Sequence, residues 1–170
     1  MRSDELRRLQ KPLKERYADD PEAALVTLKA AGELGEGVSC SVQTVRALVE
    51  AGLHPATGGD GSLACSGDLL LEALVACAGV TLGAVAANRG IEITSGRVIA
   101  EGDLDFRGTL AVDRTAPVGF TSIRLRFELV SPASEDELDA MLETTERYCV
   151  VYQTIRHGMP VEVSRAVTRP

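Results

Sequence analysis

The sequence predicts an α+β domain in which an antiparallel sheet packs against two main helices. Three observations lead to this prediction: apolar and polar residues alternate at 25–52, 91–106 and 120–130, residues 69–87 form a long apolar run, and residues 134–149 have the pattern of a capped helix. At 170 residues the chain is long enough for one sizeable core and short for two, so we expect a single domain over 1–170.

The first twenty residues predict a peripheral helix. Residues 3–17 open with a capping signal, and Pro12 is expected to bend the helix. The apolar residues at helical spacing are Leu6, Leu9, Leu13 and Tyr17. Since residues 1–20 contain no apolar segment, they do not resemble a secretory signal, and we expect a cytoplasmic protein with reduced thiols.

Two strands and a long loop follow. The alternation from Leu25 to residue 52 predicts two strands that are joined across the glycines of GELGEG, residues 32–37. Residues 53–68 are rich in Gly, Pro and Asp, and connections of this length are often binding or active-site loops. The segment TGGDGS lacks the Lys-Ser/Thr pair of a phosphate-binding loop, so we interpret it as a mobile loop.

Residues 69–87 contain a single charge, Glu72, and are long enough to cross a membrane. Much of the run is Ala and Gly, however, and neither aromatic residues nor a basic cluster flank it. We therefore predict a buried central helix with no membrane association, in which Gly79 and Gly83 allow another helix to approach closely.

The rest of the chain alternates strands and helices. Half-buried strands are expected at 91–106 and 120–130. The following helix begins with a capping box formed by Ser134 and Glu137 and ends at or near Cys149. The remaining residues predict a short helix closed by Gly158 and a final strand at 160–167.

The composition narrows the possible partners. A net charge of −7 and the lack of a basic tail argue against binding to nucleic acid. The four cysteines, at positions 40, 65, 77 and 149, contain no Cys-x-x-Cys pair, and the chain has two histidines. We therefore predict neither a metal site nor another cofactor.

Cys77 lies in the middle of the apolar helix, where a thiol is either a packing residue or a reagent. A cysteine reacts with a peroxide as the thiolate, and a free cysteine with a pKa of about 8.5 is mostly protonated at neutral pH. Apolar burial raises the pKa of a thiol, and a position inside a helix lacks the help of that helix's N-terminus. A reactive Cys77 therefore requires a nearby cation, whereas an apolar filler between helices requires none.

Three polar residues share this helix with Cys77. Asp68, a candidate catalytic residue, is ~13 Å away along the axis and on the opposite side, so it holds an arginine that reaches the sulfur, acts across a dimer interface or complements the helix dipole. Glu72 is expected to pair with an interior arginine. Thr81 follows Cys77 by one turn and can donate a hydrogen bond to a thiolate or a peroxide oxygen, or bond its own backbone. Glu72 and Thr81 are candidate substrate-binding residues.

The segments GDLLLEALVACAGVTLGAV and RYCVVYQTI, with one thiol in the first helix and another after the second, resemble the OsmC/Ohr family of thiol peroxidases. The resemblance covers roughly residues 25–167. It implies an intertwined homodimer with both helices central and the sheets outside. It also implies reduction of organic hydroperoxides, an antioxidant role in the stress response, in which Cys77 attacks the peroxide, Cys149 resolves the product and an external dithiol reduces the disulfide. The family's activating arginine is best matched by Arg46, with Arg89, Arg114 and Arg147 as alternatives.

Two positions depart from the family pattern. Members with peroxidase activity have Cys-Pro at the second cysteine and Pro-Glu at the start of the first helix, whereas this chain has Cys149-Val150 and Gly67-Asp68. These departures favour an alternative, a non-catalytic module of the same fold that binds an apolar small molecule at the dimer interface. A second alternative is a structural or partner-binding domain that uses the N-terminal helix.

Overall fold

The computed structural model describes residues 3–34, 40–42, 51–62, 64–165 and 167, and it confirms the predicted α+β class with an antiparallel sheet. The elements in chain order are α1 (Ser3–Asp19), β1 (Leu25–Leu34), β2 (Cys40–Val42), β3 (Ala51–Gly52), β4 (Ala64–Cys65), α2 (Ser66–Arg89), β5 (Ser95–Asp105), α3 (Phe106–Thr109), β6 (Phe120–Val130), α4 (Glu135–Tyr148) and α5 (Val150–His157).

The main sheet has the strand order β2-β1-β5-β6, and all its pairs are antiparallel. Its outer face carries charges that pair across strands, because the register sets Arg124 opposite Glu101. The Arg124 guanidinium also donates to an Asp103 carboxylate oxygen at 3.0 Å. A sheet face with paired charges is stable in water, so the opposite, apolar face is the one that the helices cover.

Helix α2 buries one side against the sheet. The buried residues recur at helical spacing: Leu71, Leu74, Val75, Ala78 and Leu82. Gly90 ends the helix with φ 67°, a left-handed conformation that glycine adopts without strain. By length and composition α2 could cross a membrane, and 39% of its most apolar window is buried by the rest of the structure. The predicted central helix is therefore covered on one side and uncovered on the other.

Cys149 forms the junction between α4 and α5. Helix α4 begins with the predicted capping box of Ser134 and Glu137. At the other end, the Cys149 N–H donates to the Thr145 carbonyl at 2.9 Å, and the Cys149 carbonyl accepts from the Gln153 N–H at 2.9 Å. Cys149 is therefore both the C-cap of α4 and the N-cap of α5, and these two helix ends fix the position of its Cα atom.

The prediction of a final strand at 160–167 is wrong for the residues described there. Helix α5 ends at Gly158, as predicted, but residues 160–165 and 167 form no strand. Their valines are highly exposed, with Val161 at 80% and Val163 at 91%. A strand requires a neighbour to complete its hydrogen bonds, and alternation alone does not provide one.

The N-terminal helix anchors the loop that precedes α2. Tyr17 is buried, and its hydroxyl donates to the Ala56 carbonyl at 2.8 Å. Its apolar neighbours form a second small core with Ala24, Phe106 and Leu110. The His54 ring stacks on Phe106 at 5.1 Å between centroids. The start of α2 is thereby held in place from the N-terminal side.

Candidate active site

The structure brings Cys77 and Cys149 together. Cys77 comes from the middle of α2 and Cys149 from the junction of α4 and α5, and both belong to the core cluster around Leu74 and Val75. Cys149 is 1% exposed, whereas Cys77 is partly exposed. The two free thiols lie close enough for each to influence the pKa of the other. A partly accessible sulfur thus lies beside a buried one.

Helix α5 begins beside these two sulfurs, since Val151 and Tyr152 pack against the same core cluster as Cys77 and Cys149. The first N–H groups of any helix have no acceptor within that helix. Hydrogen bonding to the N–H groups of Val151 and Val150 contributes to lowering the pKa of Cys77, and the N–H groups of Tyr152 and Val151 have a lowering effect on the pKa of Cys149.

Hydrogen bonding makes Cys77 the more acidic thiol. Burial by itself raises the pKa of Cys77, but donation from the Val151 N–H, the Cys149 thiol, the Thr81 hydroxyl and the Val150 N–H outweighs burial and holds this pKa below its ordinary value. A lowered pKa increases the thiolate fraction at neutral pH, and the thiolate is the nucleophilic form.

The pKa of Cys149 shifts in the opposite direction. Burial, with further contributions from the hydrogen bond to Cys77 and from the charge of Cys77, raises the pKa of Cys149 to about 11 although the Tyr152 N–H opposes the change. Cys77 therefore loses its proton more readily than Cys149 does. The environments of the two thiols therefore make them differ in acidity.

Asp68 and Glu72 lie together near the start of α2, away from the sulfurs. Burial raises the pKa of Asp68 against the opposing charge of His54, and burial and the Asp68 carboxylate raise the pKa of Glu72. Glu72 was expected to pair with an arginine, but within the described ranges neither carboxylate forms an ion pair. Regular helix geometry puts Asp68 ~13 Å from Cys77 along the axis.

The arginines predicted to activate Cys77 divide into two groups. Arg46 lies outside the described residues. Among the alternatives, Arg89 donates to Thr144 Oγ1 at 2.6 Å, Arg147 stacks on the Tyr148 ring at 5.5 Å, and Arg114 is exposed. None of these three is among the groups that lower the pKa of Cys77.

The expectation that a cation such as Arg46 activates Cys77 therefore stays a prediction, because Arg46 lies outside the described residues. Within the described ranges, the groups that lower the pKa of Cys77 include the backbone N–H groups of Val151 and Val150, at the start of a second helix. Sequence analysis missed these donors because they are backbone atoms of valines. The signal was a short helix starting directly after Cys149, since the first N–H groups of such a helix must find acceptors outside it.

An apolar groove of about 1020 Å³ opens between β6 and helices α2, α4 and α5, and its lining includes neither Cys77 nor Cys149. Its apolar lining includes Leu74, Ile123, Phe127, Leu142, Ile155 and Met159. One part of the wall is polar, because the Tyr152 hydroxyl donates to Glu146 at 2.7 Å and accepts from Arg156 at 3.0 Å. In the part of the chain that the structure describes, no three His, Cys, Asp or Glu side chains are grouped to hold a metal ion.

The sequence matches a known protein family, and the fold is similar to those of solved structures. The family model for OsmC-like protein matches residues 59–164. The fold is similar to an OsmC-like hydroperoxide resistance protein from Jannaschia sp. CCS1, with TM-score 0.62, 17% identity, and coverage of 85% of this chain and 95% of that one. It is also similar to an OsmC-like protein from Mycoplasma pneumoniae, with TM-score 0.54, 20% identity, and coverage of 79% and 86%. Among curated proteins, none matches the chain. At these identities the structural likeness shows a shared fold.

Proposed function

Since the chain belongs to the OsmC-like protein family, we propose that it reduces organic hydroperoxides through a two-cysteine cycle of Cys77 and Cys149. The observation that carries the proposal is the packing of two free thiols in one core cluster, with the pKa of Cys77 lowered and that of Cys149 raised. Catalytic thiols are activated in this way, whereas purely structural buried thiols are inert. The likeness to a hydroperoxide resistance protein is consistent with this reaction.

In the first step the Cys77 thiolate attacks the distal oxygen of the hydroperoxide. The O–O bond breaks and an S–O bond forms, so that Cys77 becomes a sulfenic acid and the substrate leaves as an alkoxide, which takes up a proton to become an alcohol. The sulfur loses two electrons and the peroxide gains them. The Thr81 hydroxyl, one turn from Cys77, is positioned to donate to the attacking sulfur and to an oxygen bound on it.

In the second step Cys149 resolves the sulfenic acid. Cys149 gives up its proton as its sulfur attacks the Cys77 sulfur, the S–O bond breaks, and the leaving hydroxide takes up a proton to become water as the disulfide forms. An external dithiol then reduces the disulfide to two thiols and is itself oxidised. A reducing cytoplasm, which we propose as the location, supplies reductants of this class.

Disulfide mapping tests this cycle directly. Reduced protein is mixed with one equivalent of an organic hydroperoxide, quenched by alkylation and analysed by mass spectrometry. We expect rapid and selective formation of the Cys77–Cys149 disulfide, whereas Cys40 and Cys65 should stay reduced and be found alkylated after the quench. Four alkylated thiols after exposure to peroxide would contradict the cycle.

We also propose that the protein acts as a homodimer in which the uncovered side of α2 contacts its counterpart. The residues on that side follow an alternating spacing of three and four that suits helix–helix packing: Leu70, Ala73, Cys77, Val80 and Ala84. All are apolar and at least partly exposed. Because Cys77 is at the centre of this row, a second copy would shield the thiolate from water.

Sedimentation velocity measures the predicted dimer. Wild-type protein should sediment as a dimer, and Val80→Glu should dissociate it because a carboxylate would be buried in the apolar contact. Ser122→Glu, on the charged outer face of the sheet, is the matched control and should leave the dimer intact. A wild-type monomer, or a Val80→Glu dimer of unchanged affinity, would rule out the α2 contact.

The groove supports a second candidate, a module that binds an apolar small molecule. Its volume and apolar lining suit such a ligand. In that case Cys77 would be inert, so the disulfide-mapping experiment separates the two functions: unreacted thiols favour the binding module, and a rapid disulfide favours the peroxidase.

A further inference from the structure

We infer that Glu146 and Tyr152 form a clamp across Cys149 and act as positioning residues for the second step of the cycle, in which Cys149 attacks the oxidised Cys77. The clamp is the hydrogen bond that joins the last turn of α4, at Glu146, to the first turn of α5, at Tyr152. This inference rests on the proposed function, and it concerns two residues to which the proposed cycle gives no role.

The backbone bonds of Cys149 do not by themselves set the angle between the two helices. Cys149 is the single residue between α4 and α5, and its extended conformation, with φ −72° and ψ 106°, interrupts the helical path. Its N–H donates to the Thr145 carbonyl and its carbonyl accepts from the Gln153 N–H, so each bond completes one helix end. The direction in which α5 leaves Cys149 therefore depends on contacts between side chains of the two helices.

Side-chain hydrogen bonds that end on Glu146 cross this junction. The Tyr152 hydroxyl donates to Glu146 Oε2 at 2.7 Å, and the Gln153 side-chain amide donates to the Glu146 backbone carbonyl at 2.8 Å. Arg156 Nη1 donates to the Tyr152 hydroxyl at 3.0 Å and lies 3.8 Å from Glu146 Oε2. The hydrogen bond to Glu146, together with burial, raises the pKa of Tyr152, so the phenol remains a donor at neutral pH. A hydrogen bond from a phenol to a carboxylate is among the stronger ones in proteins.

The clamp also contacts the surroundings of the two sulfurs. Val151, Tyr152 and Ile155 pack against the core cluster to which Cys149 belongs and against which Cys77 packs. Tyr152 therefore contacts this cluster while its hydroxyl binds α4. A change in the direction of α5 would move these side chains, and with them the space that the Cys149 side chain occupies. Because Cys149 is 1% exposed, its sulfur is confined by these neighbours.

Only the second step of the cycle is sensitive to this confinement. The first step requires Cys77, on α2, and the peroxide. The second step joins two sulfurs, and a disulfide tolerates a narrow geometry, with the Cβ atoms about 3.8 Å apart and a torsion near ±90° about the S–S bond. A small displacement of the Cys149 sulfur therefore slows the attack, since the reacting atoms must be aligned before they react.

The kinetic test compares Tyr152→Phe, which loses the hydroxyl but keeps the ring, with Tyr148→Phe as the matched control. Tyr148 is 60% exposed and stacks on Arg147, outside the clamp. After one equivalent of cumene hydroperoxide, dimedone labels the sulfenic acid and mass spectrometry quantifies it beside the disulfide. Tyr152→Phe should form the sulfenic acid at the control rate and convert it to the disulfide about tenfold more slowly. Equal conversion rates in the two variants would overturn the clamp.

Variants of Glu146 establish whether the two side chains act through one bond. Glu146→Ala removes the acceptor and should slow the second step to a similar extent, whereas Glu146→Gln keeps a side-chain oxygen and should recover most of the lost rate. Adding Tyr152→Phe to Glu146→Ala should cause little further loss, because the bond is already absent. Losses that multiply in the double variant, or an equal slowing of the first step, would indicate general destabilisation and would overturn the clamp.

The equilibrium between the two thiols and their disulfide provides a readout that requires no peroxide. In buffers with defined ratios of reduced to oxidised dithiothreitol, Tyr152→Phe should favour the Cys77–Cys149 disulfide about tenfold less than Tyr148→Phe does, which raises its reduction potential by about 30 mV. If hydroperoxide leaves the thiols unreacted but this difference is found, the proposed function fails and the clamp stands. If peroxide forms the disulfide rapidly and the two variants agree in rate and potential, the function stands and the clamp fails. A disulfide that forms under neither condition contradicts both.

Discussion

Replacing Cys77 by serine is expected to abolish the reduction of organic hydroperoxides. A serine hydroxyl neither ionises near neutral pH nor accepts an oxygen atom as sulfur does, so the rate should fall by at least about three orders of magnitude, to the level without enzyme. Consumption of cumene hydroperoxide with excess dithiol measures the effect. Cys65→Ser is the control, because Cys65 caps the start of α2 and lies outside the contact pair. A Cys77→Ser variant that consumes peroxide at the wild-type rate would eliminate the proposed cycle.

The rate of peroxide consumption in the same assay should depend on pH in a predictable direction. The rate should rise with pH as Cys77 loses its proton, and it should reach its plateau at a lower pH than a free cysteine would require, because hydrogen bonds hold the pKa of Cys77 below its ordinary value. Thr81→Val removes one of the donors and should move the rise to higher pH without changing the plateau rate greatly.

Replacing Cys149 by serine should separate the two half-reactions. The first peroxide equivalent should still be consumed, because Cys77 keeps its backbone donors, but turnover with dithiol should fall by at least about tenfold because the sulfenic acid has no adjacent thiol to attack it. Mass spectrometry after dimedone labelling should find the adduct on Cys77. Backbone groups make the two caps at Cys149, so the variant retains both helix ends. Unchanged turnover would mean that the dithiol resolves Cys77 directly.

Much of the fold follows from patterns that are local in the sequence. Alternation gave the strands at 120–130, and the capping box of Ser134 and Glu137 located the start of α4. These features depend on interactions between residues that are near each other in the chain, which is why they can be read from it. The final strand could not be predicted reliably, because strand formation depends on a neighbour that the alternating pattern of 160–167 does not identify.

The candidate site was likewise predicted only in part from the sequence. The resemblance identified Cys77 and Cys149 as a pair, and the helical interval identified Thr81 as a neighbour of Cys77. The donors from Val150 and Val151 were missed because side-chain identity carries no information about where a backbone N–H points. Their role depends on the angle at which α5 meets α2, and that angle is a property of tertiary packing.

The double cap at Cys149 has a consequence for how the site tolerates change elsewhere. The hydrogen bonds that place this residue run between backbone atoms of Thr145, Cys149 and Gln153. The position of the Cys149 backbone therefore does not depend on side-chain identity at 145 or 153. Substitutions at these two positions that preserve both helices should leave the backbone at Cys149 in place.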